Sequence, residues 1–174
     1  MIEENDTALS KDKYILYARN NGPVTAEQFD DYGEAVRAYK SCRGAKFLYQ
    51  PDKRYFLLTL SSTGFEYGRR KTVKAHGLFI AKNINQIRKF LTNDVDWRVS
   101  GGYSSDYSKF RIYTGGYGDD PICSDADFER FNYYVCRELY SLFSYSDLEK
   151  DFGALDVNSP PSNLNRRELP FHKL

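Results

Sequence analysis

The sequence predicts an α+β fold: a mostly antiparallel sheet of about five to six strands with two to three helices packed on one face. Segments of period 2 and period 3.6 follow in the order β-α-β-β-β-α-β-β-α, without the strict alternation that builds a parallel sheet. Aromatic residues fill 16% of the 174 positions, enough apolar area for a core even at a mean hydropathy of -0.65. Clusters of Gly, Pro, Asn and Asp separate the segments.

The first strand is Tyr14–Arg19, β-branched and aromatic, stopped by Asn20, Asn21, Gly22 and Pro23. Thr25 and Gln28 have capping-box spacing, and Phe29, Tyr32, Val36 and Tyr39 recur at helical intervals, so a helix is expected over 26–42, ended at Gly44. Residues 45–50 and 54–61 are apolar runs joined by Pro51, Asp52 and Lys53, the composition of a hairpin turn. A turn at 62–64 then leads to a strand over 71–80. In that strand Arg70, Thr72, Lys74 and His76 share one face, and Val73, Ala75, Gly77 and Phe79 the other. Asn83 and Gln86 cap a short helix carrying Ile84, Ile87 and Leu91. Strands over 96–100 and 109–114 precede a last helix that starts at Ser124, with Asp127 three residues on, and carries Phe128, Phe131, Val135, Leu139 and Leu142 on one stripe. Residues 1–10 read as a flexible N-terminus and 11–152 as one domain. Residues 153–174, with Pro160-Pro161 and no period, read as an extended tail that docks on the body or binds a partner.

A formal net charge of +1 hides a strong segregation. Residues 1–39 carry 4 basic and 8 acidic side chains, residues 40–90 carry 12 and 2, and residues 91–174 carry 9 and 14. The middle stretch has only Asp52 and Glu66 as acids. If its bases share a face, their field attracts phosphates or an acidic protein surface.

Several function classes find no support. Apolar runs such as 55–58 and 78–81 are far shorter than the about 20 residues a membrane helix needs, and the acidic start of the chain has no secretory apolar block. No membrane association and a cytoplasmic location are expected. Cys42, Cys123 and Cys136 have no CxxC spacing, so a structural zinc site is not expected and they read as free thiols that behave as small hydrophobes in a reducing compartment. His172 falls in the tail, which leaves His76 as the one imidazole in the body. No GxSxG, GxxxxGK[ST] or GxGxxG motif occurs. Asp119, Asp120, Asp125 and Asp127 cluster where a helix N-terminus favours acids. We therefore expect a non-enzymatic protein with no catalytic residues, no metal and no cofactor.

Two glycine-tyrosine loops, 100–106 and 114–120, echo one another after strands, and glycine turns account for them unless their backbones meet a phosphate. The first function expected is nucleic-acid binding, to DNA or RNA. Lys53, Arg54, Arg69, Arg70, Lys71, Lys74, His76, Lys82, Arg88 and Lys89 would hold phosphates. Some of Tyr55, Tyr67, Tyr103, Tyr107, Tyr113 and Tyr117, with Tyr67, Tyr103 and Tyr117 preferred, would stack on bases. The alternative is a protein-interaction inhibitor or adaptor, such as a viral or mobile-element (phage-type) factor that binds a host nucleic-acid enzyme or defence protein, because Tyr and Arg dominate interface hot spots.

Overall fold

The computed structural model describes residues 8–66, 69–91, 97–98, 109–110, 122–142, 153–159 and 171–173. The chain is α+β, and its described residues form three helices and almost wholly antiparallel strand pairs. In chain order the elements are β1 (Tyr14–Arg19), β2 (Thr25–Phe29), α1 (Tyr32–Ser41), β3 (Ala45–Tyr49), β4 (Tyr55–Glu66), β5 (Arg69–Ile80), α2 (Ile84–Leu91), β6 (Trp97–Arg98), β7 (Lys109–Phe110), β8 (Ile122–Asp125), α3 (Phe128–Leu142), β9 (Leu155–Asp156) and β10 (Phe171–Lys173). They fall into two compact units, one built from residues 1–53 and 127–153, the other from 54–126 and 154–174.

The first unit is a three-stranded antiparallel sheet in the order β2-β1-β3 with two helices. Ile15, Leu16 and Tyr17 are buried in succession, which requires that both faces of β1 be covered. On one face lie Tyr17, Phe47 and Tyr49, and the Phe131 ring of α3 packs on all three at centroid distances of 6.2, 5.6 and 4.9 Å. On the other face α1 lies against the sheet, with Tyr32 5.4 Å from Tyr14 and the Lys46 ammonium 4.4 Å from the Tyr39 ring. Phe131, Val135 and Leu139 are fully buried, as the stripe along α3 predicts.

The expected capping box at Thr25 and Gln28 is not a helix start. These residues form β2, because the turn after β1 returns the chain antiparallel onto it, pairing Ala18 with Thr25 and Tyr14 with Phe29. Asn21 takes a φ of 53° in that turn, a conformation asparagine tolerates. The helix begins later, where the Asp31 carboxylate accepts the Glu34 backbone N–H at 2.9 Å. It ends at Cys42, and Lys46 donates to the carbonyls of Tyr39 and Cys42 at 3.1 and 3.2 Å. Gly44 follows with a φ of +92°, where a Cβ would collide with the Arg19 backbone carbonyl.

The second unit is dominated by β4 and β5, twelve residues each, paired in register from Tyr55↔Ile80 to Glu66↔Arg69. Two expectations change here. The turn at Pro51 exists, with Lys53 N–H donating to the Gln50 carbonyl at 3.1 Å, yet it does not make a hairpin: β3 pairs with β1 and β4 with β5. Residues 62–64 are likewise strand, not turn. Their small polar side chains suit a turn in isolation, but unbroken pairing with 71–73 carries the ladder through them. β8 flanks the other side of β4, pairing Phe56 with Asp125 and Thr59 with Ile122. Ser124 thus belongs to a strand, and α3 starts after Asp127, whose carboxylate accepts the Arg130 N–H at 2.7 Å.

The segment 153–174 contributes β9 and β10, both on the edge of β5 that β4 leaves open. β9 runs parallel at Phe79 and Ile80, and β10 antiparallel at Ala75, His76 and Gly77. α2 carries the expected cap, with Asn83 accepting the Gln86 N–H at 2.9 Å and the Gln86 side chain accepting the Lys82 N–H at 2.8 Å. Trp97 pairs with Phe110 and Arg98 with Lys109, inside the two strands expected there.

Candidate nucleic-acid interface

The basic stretch 40–90 divides between the units. Lys40, Arg43, Lys46 and Lys53 belong to the first, and Arg54 and all later bases of the stretch to the second. In the second unit β5 carries Arg69, Arg70, Lys71, Lys74 and His76 in one continuous strand. The register sets these opposite Glu66, Phe65, Gly64, Ser61 and Thr59, so a single acid faces the run. Beyond Thr59 on β4 and before Ala75 on β5, the two strands pair only with each other among the described residues. Among the described residues this distal part is therefore a two-stranded ribbon. Six register pairs, from Ser61↔Lys74 to Glu66↔Arg69, at about 3.4 Å each make it roughly 20 Å long.

The proximal part of the hairpin is apolar: Phe56, Leu58, Leu78 and Phe79 are all within 1% of full burial. The same two strands therefore run, in sequence, from this buried apolar base to the basic residues at 69–74.

The other expected residues are spread more widely. Lys82 precedes α2, and Arg88 and Lys89 lie on it; Lys82 and Lys89 are exposed. Arg54 is exposed but engaged. Its Nε donates to Asp125 Oδ1 at 3.0 Å, its Nη2 to Asp125 Oδ2, and its Nη1 to the Lys82 carbonyl at 3.3 Å, while the guanidinium lies 5.0 Å from the Phe56 ring. The hydrogen bond to Asp125, and then its charge, raise the Arg54 pKa further above its ordinary value. Tyr55, offered as a stacking residue, is 5% exposed and belongs to the core. Tyr67, Tyr103, Tyr107, Tyr113, Tyr117 and both glycine-tyrosine loops lie outside the described residues.

The sequence reading missed a second surface, in the first unit. Tyr133 and Tyr140 on α3 are 67% and 62% exposed. The Arg19 guanidinium sits 4.0 Å from the Tyr140 ring and donates to the Tyr140 carbonyl, and Arg137 lies 5.9 Å from the Tyr133 ring. The spacing of 133, 137 and 140, opposite the buried stripe, was the available signal for the helix residues. Arg19 had none, since only folding brings it beside Tyr140. Arg137 also donates to the buried Glu138 carboxylate at 2.7 Å. Burial, then the Glu138 charge, push the Tyr134 hydroxyl pKa far above its ordinary value.

Among the described residues no three His, Cys, Asp or Glu side chains gather as a metal site. None of the described helices is long and apolar enough to cross a membrane. No family model, curated protein or solved structure matches this chain.

Proposed function

We propose that this chain is a non-enzymatic nucleic-acid-binding protein that uses the distal β4–β5 ribbon as its contact element. The observation carrying the reading is the register: Arg69, Arg70, Lys71 and Lys74 run along a two-stranded ribbon opposed by one acid, Glu66. The major groove of B-form DNA admits a two-stranded ribbon, whereas the deep, narrow major groove of an RNA duplex does not. Duplex DNA is therefore the preferred ligand, with phosphates held by the four bases.

Fluorescence anisotropy with labelled DNA and RNA duplexes at about 50 and about 200 mM salt tests this. Four phosphate contacts weaken DNA binding on the order of 100-fold across that range. The triple variant Arg69→Glu, Arg70→Glu, Lys74→Glu abolishes binding with its circular dichroism unchanged. Arg54→Ala leaves the affinity unaltered, because Asp125 already occupies that guanidinium. Absent binding at low salt, or equal binding by the triple variant, overturns the reading.

The second reading, an inhibitor or adaptor acting on a protein partner, draws on Tyr133, Tyr140, Arg19 and Arg137. It is favoured if the triple variant retains a partner that Tyr133→Ala with Tyr140→Ala loses.

A further inference from the structure

We propose that His76 and His172 together bind a divalent transition-metal ion of the zinc, nickel or copper class, and that the ion fastens β10 to β5. The chain contains two histidines, one in the middle and one near the end of the sequence. The antiparallel pairing of β10 with β5 sets them directly opposite one another, between the flanking pairs Phe171↔Gly77 and Lys173↔Ala75. Directly opposed residues of an antiparallel pair share a sheet face, with Cβ atoms about 4.5–5.5 Å apart. Two imidazoles on such positions span one cation at metal–nitrogen distances of about 2.0–2.1 Å.

The donor chemistry selects the metal. Imidazole nitrogen suits zinc, copper and nickel, whereas calcium and magnesium require oxygen ligands. Among the described residues the register neighbours of the pair on its sheet face are Thr59 on β4 and Lys74 and Leu78 two positions along β5, none of them a carboxylate. β10 is three residues long, and the two ligands become neighbours only when it is docked, so metal binding and strand docking are one equilibrium.

Isothermal titration calorimetry of the full chain with zinc chloride, in a buffer that does not coordinate metal, measures the site, with nickel and copper chlorides in parallel. The expected result is one ion per chain, with affinity on the order of 100-fold lower in His76→Gln and in His172→Gln, since each retains a single imidazole of the chelate. Zinc raises the melting temperature of the wild-type chain and not of either variant. His172→Cys, which restores a metal-binding donor at the same register position, recovers binding and shows that the loss is not a folding defect. Absence of binding by all three metals overturns the proposal. So does wild-type affinity in either Gln variant, which would assign the ion to other donors such as Cys42 or Cys136.

Discussion

Replacing Phe131 by alanine removes the ring on which the first unit's sheet and α3 meet. Phe131 is 1% exposed and touches four aromatic neighbours: Tyr17, Phe47, Tyr49 and Phe128, the last at 6.3 Å. Loss of a buried phenyl forfeits roughly 1.5–3 kcal/mol of transfer free energy. Three of the neighbours are anchored in β1 and β3, which cannot move inward without breaking their pairing, so most of the cavity persists. The sum lies in the usual range for such truncations, about 3–5 kcal/mol. Against a total domain stability of about 5–15 kcal/mol this is a large fraction. In urea, with a slope of about 1–3 kcal/mol/M, the midpoint falls by roughly 2 M. Far-UV circular dichroism follows the transition, with Phe131→Leu and Tyr133→Ala as comparisons. The leucine variant keeps much of the apolar volume and loses about 1.5 kcal/mol or less. Tyr133→Ala, at a site 67% exposed, stays within about 0.5 kcal/mol of wild type. A loss under about 1 kcal/mol in Phe131→Ala, or an equal loss in Phe131→Leu, refutes the account of α3 as the cover of this sheet face.

Gly44→Ala forces a side chain onto a φ of +92° and its Cβ into the Arg19 carbonyl, where α1 gives way to β3; the cost is about 1–3 kcal/mol or more in urea unfolding, and a neutral result removes the close approach. Burial raises the Tyr49 and Tyr134 hydroxyls above their ordinary pKa of 10.0, with the Asp12 charge adding to the first and Glu138 to the second. The folded chain then keeps protons that the unfolded chain releases, so this stability is intact below pH 10 and declines as pH rises beyond it. Tyr134→Phe flattens that alkaline decline in a pH series of urea midpoints, and an unchanged slope counts against the burial argument.

Local chemistry was sufficient for some elements. β1 and β3 announce themselves by β-branched and aromatic runs, α2 by the cap at Asn83, and the buried stripe of α3 by its 3.6-residue period, because each signal is satisfied within a few residues of itself. It failed where two local solutions compete and distant pairing decides. Thr25 to Gln28 fits a capping box, yet those residues are worth more as partners of β1 than as a first helical turn. Residues 62–64 have turn composition, yet the ladder with β5 continues through them.

The candidate surfaces divide in the same way. By itself the sequence determined the α+β class and the concentration of basic residues between 40 and 90, since composition and periodicity belong to the chain in any conformation. Only the tertiary structure decided that this stretch is shared between two units, that Asp125 claims Arg54, and that His172 stands opposite His76. Each of those depends on strand register between segments far apart in the chain, and register is set by which faces are buried together, a quantity that no local window contains.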